Sequence, residues 1–210
     1  MNRVIKFLIA SDFLLFAAWG LFSPIFAIFI LENVVDGDIA KAAEIAGFAA
    51  LVYWITKSIL QIPISKYLDR IHGEKDDYWF MILGLFLTGL VPFGFLVSSL
   101  AWHIYLLQIL NALGMALFYP SWCAIFTRHI DKNKAAFGWA MDSTFLGFGV
   151  GITGGIGGIM ASVYGFDAIL IIVGTFSVLS SLLLLSAHNH ILPQDHAFPY
   201  YFPFGKSRDL

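Results

Sequence analysis

The chain has 210 residues, of which 59% are hydrophobic and 12% are charged, and its formal net charge is −2. Soluble domains carry about 25% charged residues, so this chain cannot build a water-facing surface around a folded core. The charge balance and the lack of a basic stripe also exclude nucleic-acid binding. Membrane lipid is therefore the expected surrounding of most of the chain.

Six apolar stretches are each long enough to cross the hydrocarbon core, which takes roughly 20 residues in a helix. Backbone groups in lipid must be satisfied within the segment, so we predict that all six are helices. The predicted spans are residues 4–30, 44–66, 78–100, 102–125, 136–161 and 167–187. Residues 1–187 then form one all-α integral membrane domain with six transmembrane helices, and residues 188–210 form a polar cytoplasmic tail.

Lysine and arginine residues divide unequally between the two predicted faces of the membrane. Lys41 alone falls on the face opposite the termini. The face with both termini holds Arg3, Lys6, Lys66, Arg70, Lys75, Arg128, Lys132, Lys134, Lys206 and Arg208. The positive-inside rule then predicts that both termini are cytoplasmic. We expect a multi-pass protein of a plasma membrane, namely a bacterial or archaeal inner membrane.

One basic residue, Lys57, falls deep inside the second predicted span. It lies about ten residues from the cytoplasmic end, roughly 15 Å deep and close to the midplane. Its ammonium group needs a carboxylate, a water-filled cavity or an anionic ligand there, or it loses its proton. Gln61, Tyr53 and Trp54 share its helix face. These four residues are predicted to line a substrate cavity.

Two acidic residues lie in other spans at a depth from which either could reach Lys57: Asp12 in the first span and Asp142 in the fifth. Two interpretations stay open. A structural ion pair would fix the register of the helices, whereas a substrate or proton site would make the carboxylates functional.

The fourth span carries Gln108 and Asn111 three residues apart, so they share one helix face near the level of Lys57. Both are predicted to line the same midplane cavity. Four aromatic residues lie away from the predicted interfaces, where either packing or a cavity would account for them. They are Trp19, Trp54, Tyr119 and Trp122.

The fifth span is rich in glycine, with Gly147, Gly151 and Gly155 spaced by four. A strip without side chains permits close approach of another helix. It serves either as a packing seam within one bundle or as a sliding and gating surface, and the sequence does not separate these alternatives.

The loop after the second span reads SKYLDRIHGEK over residues 65–75. It resembles the G-x-x-x-D-R-x-G-R-K loop that the major facilitator superfamily of secondary transporters carries at this place. Asp69 and Arg70 match, Ser65 replaces the first glycine, and Gly73 comes one residue late.

Two further stretches resemble the same family. QILNALGMALFYP in the fourth span is similar to the family's R-x-x-x-G-x-G-x-x pattern, with Gly114 retained and Gln108 in place of the arginine. GGIGGIMASVYGF is similar to the glycine-rich fifth helix, although Ile152 stands where proline is usual. The three matches occur in the family's order.

The resemblance implies a fold. Members have about twelve spans in two halves and bind substrate between the halves near the midplane. This chain resembles a single six-helix half, a 3+3 repeat. We predict a parallel homodimer that recreates the two-domain transporter. Asp69 and Arg70, with the glycine strip, would form the gating interface, and Asp69 would lie near the partner's fifth helix around Phe137 and Gly138.

The leading functional hypothesis is a secondary transporter of a small solute that works by alternating access. Lys57 would bind an anionic group or exchange a proton with Asp12 or Asp142. The alternative is a non-transporting membrane partner or scaffold, or one half of a split transporter that pairs with another chain.

An enzyme is not expected, because the chain contains neither H-E-x-x-H nor G-x-S-x-G. No cofactor is expected either. His188 and His190 resemble a metal-binding pair, but His196 is the one further ligand in reach and a solvated tail explains them. We predict no metal site.

Overall fold

The computed structural model describes residues 2–70 and 73–192, and over these ranges the regular structure is helical. The helices are α1 (Arg3–Phe22), α2 (Phe26–Asn33), α3 (Ile39–Arg70), α4 (Lys75–Phe95), α5 (Ala101–His129), α6 (Ala135–Ser186) and α7 (His188–Ile191). Five candidate membrane spans are found in this part of the chain, with α1 and α2 counted together. His72 and most of the predicted tail, including His196, Lys206 and Arg208, lie outside the described residues.

A short 3-10 turn, Ser23–Ile25, joins α1 to α2. Pro24 lacks a backbone N–H and so interrupts the hydrogen-bond ladder of a longer helix. The apolar segment nevertheless continues in one direction from Arg3 to Asn33 as a single candidate span.

Helix α6 folds back on itself at Gly165. This residue has φ 79° and ψ 169°, a conformation outside the helical region that glycine adopts without strain. Gly149 packs against Phe13 of α1, while the Ser180 hydroxyl donates to the Ser11 carbonyl of α1 at 2.7 Å. In an unbroken helix Gly149 and Ser180 would stand roughly 46 Å apart, so both could not contact the same turns of α1.

We call residues 135–164 the first arm of α6 and residues 166–186 the second arm. The loop expected at 162–166 is therefore a single non-helical residue, because glycine reverses the chain without a longer connection.

Two other helix ends differ from the predicted spans. Helix α3 begins at Ile39, ahead of the apolar run, because the Asp38 carboxylate accepts a hydrogen bond from the Lys41 N–H at 3.0 Å and caps the helix. Helix α4 ends at Phe95 instead of residue 100. There the Ser98 hydroxyl bonds the Gly94 carbonyl at 3.0 Å, which competes with continued helix.

Helices α1, α4, α5 and α6 form the packed body, whereas α3 lies at its side against α5 and α2. In the most apolar window of each helix, 61% of α5 is buried but only 11% of α3. Helices α4 and α5 approach closely at Gly84 and Gly114, where a Cβ on either would collide with the other helix. One long face of α3 is thus left uncovered by this chain.

The two described chain ends meet at the same end of the bundle. Phe7 stacks on His190 with ring centroids 5.8 Å apart, and Tyr78 contacts His188 at 5.2 Å. Ile191 of α7 is buried in the core. The start of the predicted polar tail is therefore a helical turn packed on the bundle, because Ile191 is apolar. We call this the terminal end.

Candidate functional site

Three open cavities follow one another along the side of the bundle where α3 and the first arm of α6 are exposed. We name them after one lining residue each: the Trp19 cavity, about 340 Å³; the Asp12 cavity, about 550 Å³; and the Cys123 cavity, about 490 Å³. Phe16 and Val150 line both the first and the second, and Tyr119 lines both the second and the third. The cavities therefore form a continuous row.

Four of the residues that the sequence assigned to a substrate cavity line the Trp19 cavity together. They are Tyr53, Trp54, Gln108 and Asn111. Helices α3 and α5 present them to the same space. Gln61 is separated from this group and lines the Cys123 cavity.

The ammonium group of Lys57 lies among aromatic rings. Its Nζ is 5.9 Å from the ring centroid of Tyr53, 5.1 Å from that of Trp54 and 5.3 Å from that of Tyr119. A cation at such distances from a ring face is stabilised by about 0.5–2 kcal/mol per ring. Among the described residues Lys57 makes no salt bridge.

Asp12 and Asp142 are brought together with each other instead. Both line the Asp12 cavity and are largely buried, with 5% and 8% of their surface exposed. The Asp142 Oδ1 atom has no hydrogen-bond partner in the described part of the chain. Two carboxylates that share a poorly solvated cavity repel each other when both are ionised. This arrangement suits the uptake and release of a proton.

Asp69, Arg70 and the glycine strip, which the sequence assigned to a gating interface, have different surroundings on the side of the bundle where α3 and the first arm are exposed. Asp69 lines the Cys123 cavity together with Arg128, whereas Arg70 is exposed at the end of α3. A Cβ built on Gly147, Gly151 or Gly155 would meet no atom within 4 Å.

The close contact between the first arm and α1 is made by other glycines, Gly149 and Gly157, where a Cβ would collide with α1. Residues two positions apart point to nearly opposite sides of a helix. The strip of Gly147, Gly151 and Gly155 is therefore not a seam within this bundle.

The family is decided by a comparison with known protein families. A family model described as Major Facilitator Superfamily matches residues 8–198. The chain belongs to the Major Facilitator Superfamily. A match of this extent is consistent with a single half of the superfamily fold. Comparisons with curated proteins and with solved structures found no match.

Family membership confirms the resemblance found in the sequence motifs. Members of the superfamily are transporters rather than enzymes, so membership and the long apolar helices together indicate a multi-pass membrane transporter.

In this superfamily member the motif loop is followed by ion pairs that the sequence reasoning missed. Asp77 in the first turn of α4 binds Arg128 in the last turn of α5 at 2.5 Å, and His129 Nδ1 lies 3.5 Å from Glu74 Oε1. Burial raises the pKa of the Glu74 carboxyl, and the facing His129 and Arg128 oppose that shift. Acidic residues at the start of α4 and basic residues at the end of the following helix, α5, were the available signal.

Thr88 was missed as well. It lines the Trp19 cavity from α4, facing Asn111 and Trp19. A single threonine in an apolar span carries no signal of its own, since its role depends on which helix packs against it.

Proposed function

We propose that this chain is a secondary transporter of a small solute that works by alternating access, as a parallel homodimer of six-helix halves. The observation that carries the proposal is the row of three cavities on the uncovered side of the bundle, each of which is lined in part by polar side chains. Superfamily membership supports the transport activity.

A six-span topology is favoured by the path of the chain. The reversal at Gly165 lets α6 cross twice, which accounts for the meeting of the two described chain ends at the terminal end. Arg70, Arg128 and Lys134 lie near helix ends at this same end of the bundle. By the positive-inside rule it faces the cytoplasm, in the inner membrane of a bacterium or archaeon.

A second copy is the proposed cover of the open side. Buried acidic and amide groups that face hydrocarbon are costly, so the cavities need a protein or water-filled boundary. The first arm offers a flat strip at Gly147, Gly151 and Gly155 for close helix approach. The exposed Asp69 would meet the partner's α6 near its positively polarised start, around Phe137.

The chemistry proposed for the path is exchange of a proton at Asp12 and Asp142 as the halves rock. Tyr119 stands between these carboxyls and Lys57, since it lines the Asp12 cavity and lies over the ammonium group. An anionic group of the solute would enter near Lys57 and displace part of the aromatic contact. Arg70 and Asp69 would close the cytoplasmic side.

The test is the mass of the protein in nanodiscs by native mass spectrometry, with Gly151→Trp beside Leu182→Trp. Both variants add an indole to an exposed position, but only the first lies on the glycine strip. We expect a mass near twice 23.3 kDa for the wild type and for Leu182→Trp, and a mass near 23.3 kDa for Gly151→Trp.

A monomeric wild type would overturn the homodimer. A second six-span chain that co-purifies in its place would favour a split transporter or a scaffold. A Lys57→Ala variant measured alongside separates assembly from solute binding, because Lys57 is bound within its own protomer's rings and its loss should leave the mass unchanged.

A further inference from the structure

Lys57 and Arg128 both lie beside the row of cavities, but they differ in their partners. Arg128 lines the Cys123 cavity and pairs with Asp77, whereas Lys57 makes no salt bridge within the described ranges. Lys57 is half-buried in the middle of α3. An ammonium group at that depth of a membrane needs an anion or water beside it. Lys57 is therefore available to an anionic group that arrives from outside the bundle.

The rings around the Lys57 ammonium group keep surface that a solute can reach. Trp54 is 59% exposed and Tyr119 is 43% exposed, while Tyr53 is half-buried. The centroids of all three rings lie within 6 Å of Nζ. A solute that contacts the ammonium group therefore touches aromatic surface as well.

The space next to these rings is aromatic and uncharged. Tyr53 and Trp54 line the Trp19 cavity together with Phe16 and Phe26, which are half-buried and so contribute accessible ring surface. The described residues that line this cavity include no charged side chain. Such a lining favours a ring of the solute, but it offers no counter-charge to a second ionised group.

On the other side of Lys57, two carboxyls limit the negative charge of the solute. Tyr119 lies over the ammonium group and also lines the cavity that holds Asp12 and Asp142. A second anionic group that extended past Tyr119 would approach both carboxyls, and like charges repel strongly in a poorly solvated space. One ammonium group therefore matches one negative charge.

We propose that each protomer binds a small amphipathic monoanion, with a carboxylate at Lys57 and an apolar ring in the Trp19 cavity. The ammonium group donates charge-assisted hydrogen bonds to the carboxylate. The ring of the solute packs on Trp54 and Tyr53. Because it names the solute class of the transport site, this inference rests on the proposed function.

A volume of about 340 Å³ lies at the small end of ligand pockets, so the apolar part of the solute is one ring or two fused rings. The probes are radiolabelled benzoate and indole-3-acetate, both ionised at pH 7. Benzamide and indole-3-acetamide have nearly the same shapes without the charge. Lactate serves as a monoanion without a ring, and phthalate serves as a ring with two charges.

The experiment is equilibrium dialysis of each probe against the purified protein in nanodiscs, with protein-free nanodiscs subtracted to correct for partition into lipid. We expect both ring carboxylates to bind. Each should bind about tenfold more tightly than its amide, because the amide lacks the charge-assisted hydrogen bonds to Lys57. Lactate and phthalate should bind more weakly than benzoate by a similar factor.

Two positions separate the role of the charge from that of the rings. Lys57→Met keeps the length of the side chain without its charge, so it should abolish the preference for carboxylate over amide, whereas Lys57→Arg should retain that preference. Trp54→Leu should weaken carboxylates and amides alike, by roughly 3- to 10-fold, and leave the preference unchanged.

The matched controls carry the same substitutions away from the cavities. Lys66→Met alters an exposed lysine nine residues further along α3, and Trp102→Leu alters a tryptophan that is 58% exposed at the start of α5. Neither residue lines any of the three cavities. Both controls should leave all dissociation constants unchanged, and gel filtration of every variant checks that the protein is folded.

The outcomes separate this inference from the transport proposal. Failure of both ring carboxylates to bind, equal binding of carboxylates and amides, or a preference that survives Lys57→Met would overturn the assignment. Lactate or phthalate that binds more tightly than benzoate would overturn the amphipathic monoanion. Binding with the expected variant pattern supports the inference even where proteoliposomes take up no ring carboxylate, a result that counts against transport instead.

Discussion

The two arms of α6 are of comparable length and both pack on α1. They differ in that the second arm is enclosed by other helices, whereas the first arm is exposed along one face. The second arm lies between α1 and α4, and its Ser177, Ser180 and Ser181 hydroxyls are buried and bonded to backbone carbonyls. The first arm exposes a glycine strip and holds Asp142 with an unsatisfied oxygen at a cavity.

The difference separates polar side chains that stabilise the fold from polar side chains that line cavities. Polar groups on the closed side find partners inside the protein, so they stabilise the fold. On the open side, Asp142 lines a cavity and its Oδ1 atom lacks a partner among the described residues, which is a cost that a fold retains for binding or proton exchange. Four measurements test this division.

The largest effect is expected from glycine replacement on the two faces of the first arm. A Cβ at Gly157 would overlap the Leu21 carbonyl of α1, whereas a Cβ at Gly155 would meet no atom within 4 Å. Gly157→Leu should abolish folded protein and Gly155→Leu should not, as judged by fluorescence-detected gel filtration. Equal recovery of the two would show that the open and closed faces are wrongly assigned.

Neutralising the unpaired carboxyl should separate stability from function. Asp142→Asn removes a buried charge whose Oδ1 atom lacks a hydrogen-bond partner in the described part of the chain, so we expect stability at pH 8 to rise by about 1–2 kcal/mol while solute-driven proton uptake by proteoliposomes falls at least tenfold. The exposed Asp167 provides the control Asp167→Asn, expected to change neither. A drop in stability would instead indicate that Asp142 is held in a structural ion pair.

Breaking the ion pair at the terminal end should cost stability and leave the lining of the Trp19 and Asp12 cavities unchanged, because Arg128 lines the Cys123 cavity instead. Arg128→Ala leaves Asp77, which is 1% exposed, without its cation, and we expect a loss of about 1–3 kcal/mol. Lys75→Ala removes an exposed charge nearby and should cost under about 0.5 kcal/mol. Thermal melting of both variants in one detergent compares them, and equal losses would contradict the role of the pair.

The smallest effect concerns pH. Because burial raises the folded-state pKa of Glu74, its contribution to stability is complete below the ordinary value of 4.5 and declines as the pH rises through the folded-state pKa. Glu74→Gln should flatten this decline, by less than about 1 kcal/mol since the group is partly exposed. Melting curves from pH 4 to 7 measure it, in a His129→Asn background to remove the facing imidazole. If stability falls equally with pH in Glu74→Gln and in the His129→Asn parent, Glu74 does not cause the decline.

The sequence predicted the helices more completely than it predicted which residues lie together in the site. The apolar runs located the long helices and a chain reversal at 162–166, but the capped start of α3 and the reduction of that reversal to the single residue Gly165 were missed, since a cap and a single positive φ leave almost no trace in hydropathy. The depth argument left a carboxylate, a water-filled cavity, an anionic ligand or loss of the proton open for Lys57, and it did not foresee the rings of Tyr53, Trp54 and Tyr119 around its ammonium group.

The sequence by itself determined the solvent of the chain, its helical content and its superfamily, because hydrophobic length and local motifs are read along the backbone. It also grouped Gln108 with Asn111 and Tyr53 with Trp54, since helical periodicity is local. Only the tertiary structure decided that Asp12 faces Asp142, that Thr88 faces the Trp19 cavity and that Gly147 lies on the open side. Those relations depend on which helix faces pack together, and packing between distant segments is settled by the fit of their surfaces.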